Sequence, residues 1–62
     1  MMDDSMLQEG ASRCEALMRL LEQDQEELGA YLQGELLEEY RKLVDLEIRK
    51  LGEVTRQLKT MA

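Results

Sequence analysis

The 62-residue sequence contains no histidine, proline, tryptophan or phenylalanine, and it has a single cysteine. Without histidine, the commonest general base and metal ligand of proteins is missing. Ser-His and Cys-His nucleophile pairs are therefore excluded, as is the Glu-x-x-His ligand pattern of di-iron bundles. One cysteine cannot form an internal disulfide, so Cys14 is expected to be a small, buried apolar residue.

Other chemistry-bearing patterns are also missing. The four glycines, at positions 10, 29, 34 and 52, match neither dinucleotide-binding nor P-loop spacing. The acidic run 22–27 lacks the alternating ligands and central glycine of an EF-hand loop. We therefore expect a protein that is not an enzyme and that binds no cofactor and no metal. The net charge of -6 argues against nucleic acid and against an anionic membrane surface as partners.

Long apolar runs are absent as well. The longest uninterrupted ones, such as residues 16–18, have three residues, which is far too short for a membrane span. The first four residues are acidic at two positions and do not resemble a signal peptide. Secreted domains of this size usually carry several cysteines, so we expect an intracellular, cytoplasmic location.

What the sequence does contain favours helices. Leucine occurs 12 times, whereas valine and isoleucine together occur three times. Leucine, glutamate, glutamine, lysine and arginine are good helix formers, and β-branched residues are typical of strands. The hydrophobic content of 44% argues against disorder. The composition therefore predicts an all-α fold, with the whole chain 1–62 as one helical module.

Two segments, at about 5–28 and 35–61, show helical periodicity. In each, leucine and other apolar residues recur every three or four positions, and one row repeats every seven. The apolar arc of the second segment is about 140° wide, broader than the seam of a two-stranded coiled coil and typical of a four-helix bundle. The residues predicted to form the apolar interface are Leu7, Cys14, Leu17, Leu21, Leu28, Leu37, Tyr40, Val44, Ile48, Leu51, Val54 and Leu58.

The connection between the segments, residues 29–34, allows two interpretations. Gly29 and Gly34 would destabilise a continuous helix by about 2 kcal/mol relative to alanine, and Gly29 is well placed just beyond a helix end. This favours an antiparallel hairpin that pairs into a four-helix bundle. The alternative is one long helix in a coiled coil, because apolar residues keep an i+4 spacing from Leu28 to Tyr40.

Charge is distributed unevenly along the chain. Residues 35–47 carry a net charge of -3 and residues 48–62 a net charge of +3, an order that the dipole of the second helix favours. Between Leu20 and Tyr40 there are seven acidic residues and no basic one. A hairpin would gather these acids at its tip, where we predict an acidic patch that includes Glu26, Glu27, Glu38 and Glu39.

The sequence predicts association more clearly than it predicts a biological role. A lone hairpin of this size has too small a core to be comfortably stable, so we expect it to bind itself or a helical protein partner. The first hypothesis is a non-catalytic protein–protein interaction or oligomerisation module. The second is a small adaptor, chaperone or inhibitor that binds an apolar helix of a client. The Leu-rich pattern of residues 36–58 is generically similar to that of small bacterial secretion and flagellar export chaperones, which implies this second hypothesis.

Overall fold

The protein folds as a helical hairpin. A computed structural model describes residues 4–62, in which α1 runs over Asp4–Gly29 and α2 over Gly34–Met61. The helices are antiparallel, because Glu15 in the first half of α1 contacts Lys59 near the end of α2, and a four-residue connection joins the end of α1 to the start of α2. The predicted all-α hairpin is therefore confirmed, and the alternative of one continuous helix is wrong.

Neither Ser12 nor Gln33 acts as a side-chain cap at a helix start. Helix α1 continues through Gly10 and Ser12, so the Ser-x-x-Glu pattern at Ser12 does not mark a helix start. Gln33 precedes α2 in an extended conformation, and its side chain makes no capping hydrogen bond. Helix α2 instead has Glu35 in its first turn and Lys59 in its last, both favourable to the helix dipole. Packing between the helices, rather than capping, therefore accounts for most of their stability.

The chain reverses direction over residues 30–33. The amide groups of Tyr31 and Leu32 both donate to the carbonyl oxygen of Leu28, at 3.0 and 3.2 Å, and so satisfy the end of α1. The left-handed conformation predicted at Gly29 is found at Gly34 instead, where φ is 65°. Gly29 is the last residue of α1. The left-handed residue lies five positions later, at Gly34, where α2 begins.

A seam of side chains joins the helices. Leu7, Ala11 and Val44 are its buried apolar residues, and Thr55 is buried with them. Thr55 satisfies its hydroxyl locally by donating to the Leu51 carbonyl oxygen at 2.8 Å. Leu7 and Ala11 are four residues apart and Val44 and Thr55 are eleven, which is close to three turns of a helix, so each pair lies on one side of its helix.

The hairpin is long and thin. Its Cα trace measures 48 × 16 × 13 Å, and its accessible surface is 5083 Å². A compact monomer of 7.2 kDa is expected to expose about 4,100 Å². The protein therefore exposes about 1,000 Å² more accessible surface than a compact monomer of its mass.

Candidate interaction surface

The exposed apolar side chains of α2 lie on one side of the seam. With a rotation of about 100° per residue, Leu36, Leu43 and Val54 project about 80–100° from Val44, all in the same rotational sense. Met61 projects in this direction too. Their exposed fractions range from 44% to 63%, although they are large apolar residues. The broad apolar arc of α2 is thus only partly covered by α1.

Helix α1 has a matching set. Met6, Leu17 and Leu28 project about 60–100° from Leu7 in the same rotational sense, and Leu20 lies somewhat further round. All four are exposed. Because the helices are antiparallel and both right-handed, equal rotation away from the seam brings the two sets to the same side of the hairpin. We call this surface the apolar face, and it consists of Met6, Leu17, Leu20, Leu28, Leu36, Leu43, Val54 and Met61.

A groove at the tip shows that the two sets adjoin. Leu28 of α1 lines it together with Leu36, Tyr40 and Leu43 of α2, and Leu32 of the connection closes its end. Glu39 stands at its rim. Beside it, Tyr31 is 84% exposed and shares a second groove with Leu28, Asp24 and Glu27. The tip therefore offers a concave apolar surface bordered by carboxylates.

The opposite side of the hairpin is polar. Glu15, Glu22 and Glu26 of α1 project there, as do Arg41 and Lys59 of α2, and we call these five residues the polar face. The Lys59 ammonium group lies 2.6 Å from a Glu15 carboxylate oxygen. This hydrogen bond, together with the charge of Lys59, holds the pKa of Glu15 below its usual value of 4.5. The contact joins the first half of α1 to the basic end of α2.

The predicted interface residues divide between the seam and the apolar face. Three of the twelve, Leu17, Leu28 and Val54, are exposed on the apolar face. The other nine are buried or half-buried along the seam: Leu7, Cys14, Leu21, Leu37, Tyr40, Val44, Ile48, Leu51 and Leu58.

The predicted interface left out seven residues of these two surfaces. Two belong to the seam, Ala11 and Thr55, although both continue the three- and four-residue spacing. The other five belong to the apolar face: Met6, Leu20, Leu36, Leu43 and Met61. The continued i+4 row from Leu28 to Tyr40 was the available signal for Leu36, but that row was interpreted as support for a continuous helix.

The predicted acidic patch is split between the two sides of the tip. Glu26, Glu27, Glu38 and Glu39 are all exposed, as expected. However, Glu26 and Glu38 project toward the polar side, whereas Glu27 and Glu39 border the grooves of the apolar face. Arg41 lies in the same groove as Glu26, so a base does stand beside part of the patch. The four carboxylates therefore do not form one continuous surface.

Glu47 is a carboxylate within the apolar sector of α2. It projects about 60° from Val44 toward the apolar face, between the levels of Leu43 and Val54, and it is exposed. Lys50 follows one turn later, about 120° from Val44 on the same side, and is also exposed. A partner that covers this face must provide for these two charges.

Comparison with protein-family models, with curated proteins and with solved structures finds no match to this chain. Within residues 4–62, no helix is long and apolar enough to cross a membrane. The same residues contain no group of three or more side chains placed to hold a metal ion. Cys14 is a free thiol and is half-buried on the seam. The apolar face is the candidate functional surface of residues 4–62.

Proposed function

We propose that this protein is a non-catalytic interaction module that associates through its apolar face with helices of another polypeptide, forming a helical bundle. The observation that carries this proposal is that eight large apolar residues from both helices are exposed on one side of the hairpin. Scattered exposed leucines are ordinary on protein surfaces, but a continuous apolar surface bordered by charge is typical of an interaction site.

Energetics support the same function. Complete burial of one leucine or valine side chain stabilises by about 1.5–3 kcal/mol, so covering several of them offers a substantial driving force for association. Within the hairpin, by contrast, only Leu7, Ala11 and Val44 are buried apolar residues. A domain with so small a core gains stability from any partner that binds the folded form. Association and folding are therefore expected to be coupled.

The test compares two leucines of α2 that differ in the face they occupy. Leu43 is exposed on the apolar face, whereas Leu46 is exposed on the outer surface, in a groove lined by Lys42, Asp45 and Arg49. Leu43→Gln should raise the dissociation constant of self-association by at least about tenfold, because each copy loses the burial of a leucine. Leu46→Gln is the matched control and should change it by less than about twofold.

Sedimentation equilibrium of the two variants and the wild type provides the measurement. Circular dichroism at the same concentrations checks that helix content in the associated state is retained. Association that weakens in Leu43→Gln but not in Leu46→Gln supports the proposal. Equal association of both variants contradicts it, and a wild type that stays monomeric at every accessible concentration excludes self-association.

A second candidate function, that of an adaptor for a client helix, is favoured by the groove at the tip. Its apolar floor of Leu28, Leu36 and Leu43 has Glu39 at the rim, with Asp24 and Glu27 in the adjoining groove. This combination suits a basic amphipathic helix, since apolar residues would fill the groove and cations would meet the rim. A purified chain that remains a partly unfolded monomer, and gains helicity with such a peptide, would favour this function over self-association.

A further inference from the structure

We infer that the occupant of the apolar face is a second copy of this chain, bound antiparallel so that α2 packs on α2 and the acidic first half of each α2 lies beside the basic second half of the other. This inference rests on the proposed function and adds to it the identity, direction and register of the partner. Three independent features of α2 lead to it: its residue spacing, its central charges and its charge gradient.

The spacing of α2 on the apolar face is palindromic. The residues that project to this side are Leu36, Leu43, Glu47, Lys50, Val54 and Met61. Their intervals are 7, 4, 3, 4 and 7 residues, symmetric about the peptide bond between Ile48 and Arg49. A helix with this pattern is complementary to itself when reversed. An antiparallel copy, centred on that point, matches the four apolar residues with one another and Glu47 with Lys50.

The matched pairs have suitable chemistry. Leu36 comes to the level of Met61 of the second copy, and Leu43 comes to the level of its Val54. All four side chains are exposed in the single hairpin, so each pair would cover surface that the fold itself leaves open. By symmetry every pair occurs twice in the dimer.

The two central charges are matched as well. Glu47 comes to the level of Lys50 of the second copy, which places two carboxylates and two ammonium groups around the symmetry axis. Covering a carboxylate without a counter-charge is costly, so an apolar face containing Glu47 requires a partner that offers a cation at this level. The antiparallel copy supplies one. Such a polar pair inside an apolar contact also fixes register, because a shift of one turn separates the charges.

The gradient of charge along α2 selects the same direction. Its first half, residues 35–47, carries a net charge of -3 and residues 48–62 carry +3. In the antiparallel arrangement the acidic half of each α2 meets the basic half of the other α2. In the opposite arrangement, with both tips at one end, the acids of residues 22–39 of one copy would lie beside those of the other. Like-charge juxtaposition of this kind disfavours an interface.

The size of the face is adequate for a stable dimer. A surface 48 Å long and 16 Å wide covers on the order of 800 Å². This is close to what each partner buries in a standard protein–protein interface.

The experiment exchanges the two central charges between chains. Glu47→Lys and Lys50→Glu each produce chains with four like charges around the axis of their own homodimer. Either variant alone should self-associate about tenfold or more weakly than wild type at low salt. An equimolar mixture should restore association, because each basic chain then meets an acidic one. Both substitutions are at exposed positions of α2, and each introduces the same like-charge contact within its own helix, so the mixture isolates contact between chains.

Sedimentation equilibrium of the single variants and of the mixture, with one chain mass-labelled, gives the result. Preferential heterodimer formation that diminishes as salt is raised supports the inference. Two outcomes overturn it: homodimers that form as tightly as wild type, or a mixture that associates no better than its components. If these occur while Leu43→Gln still weakens wild-type association, the register and direction are wrong, but the proposed function stands. If wild type itself never associates, the inference fails, and the interaction module stands only if a basic amphipathic peptide raises the helicity of the chain.

Discussion

The two faces of this hairpin differ in whether their side chains find partners within the chain. On the polar face, Glu15 and Lys59 form an ion pair across the helices, and Arg41 shares a groove with Glu26. On the apolar face, large side chains such as Leu36 and Met61 remain at least 60% exposed. Charged side chains of the polar face thus have opposite charges beside them within one chain, whereas the large side chains of the apolar face are not covered by that chain. This difference between the two faces is the observation on which the proposed association rests.

The largest effect is expected at the seam that holds the two faces together. Leu7 is 4% exposed, and Leu7→Ala should destabilise the hairpin by about 2–5 kcal/mol, because it leaves a cavity between the helices. Chemical denaturation followed by circular dichroism measures the loss. Leu46→Ala, at an exposed position outside the seam, is the control and should cost less than about 0.5 kcal/mol. Equal losses for the two variants would show that the seam is placed wrongly.

The next largest effect concerns the reversal that brings both apolar sets to one side. Gly34→Ala should destabilise by about 1–2 kcal/mol, because a Cβ is disfavoured at φ 65°. Gly29→Ala is the matched control. Gly29 is helical, and an added Cβ would lie 3.9 Å from Leu37 Cδ1, an ordinary contact. It should therefore stabilise by up to about 1 kcal/mol. Melting temperatures that move in opposite directions confirm the turn, and a reversed order of the two would refute it.

Much of this fold follows from sequence periodicity. Leu7, Val44 and their neighbours at three- and four-residue spacing form the seam because a helix brings such positions to one side. Periodicity could not predict which glycine of the connection adopts the left-handed conformation, because Gly29 and Gly34 are chemically identical. The structure distinguishes them through the backbone hydrogen bonds from Tyr31 and Leu32 to the Leu28 carbonyl oxygen. Thr55 escaped prediction because its hydroxyl is satisfied by its own helix, so a polar residue could join the core.

The apolar face was harder to predict than the seam. Broad apolar arcs indicated that something must cover them, but periodicity alone does not say whether the uncovered flanks of two helices lie on the same side. That depends on chain direction and on which row forms the seam. Once Val44 and Leu7 are known to be buried, the positions of Leu17 and Leu43 follow from helix geometry. The split of the acidic patch follows in the same way.

A smaller effect should separate the acids of the two faces at the tip. Glu27→Gln with Glu39→Gln removes carboxylates that border apolar grooves, and relief of like-charge repulsion should stabilise by a few tenths of a kcal/mol. The double variant Glu26→Gln with Glu38→Gln also loses a carboxylate that shares a groove with Arg41, so this variant should gain less stability. Melting temperatures at low salt compare the pairs. A larger gain from the Glu26 pair would contradict this assignment of faces.

The smallest effect concerns the ion pair on the polar face. Because Lys59 lowers the pKa of Glu15, the pair adds stability above the usual pKa of 4.5 and loses it as the pH falls through the lower value of the folded state. Lys59→Gln should therefore reduce the melting temperature slightly at neutral pH and not at strongly acidic pH. Thr60→Gln, at the next and exposed position, is the control. A difference between Lys59→Gln and wild type that persists unchanged in acid would rule out the pairing.

The central claim is that the apolar face is covered by another molecule and that folding depends on this. The most direct test is the thermal melting of the wild-type chain, followed by circular dichroism over about a thousandfold range of protein concentration. We expect the melting temperature to rise steadily with concentration and helicity to fall on dilution. Cooperative melting of a monomer at one temperature, independent of concentration, would contradict the account.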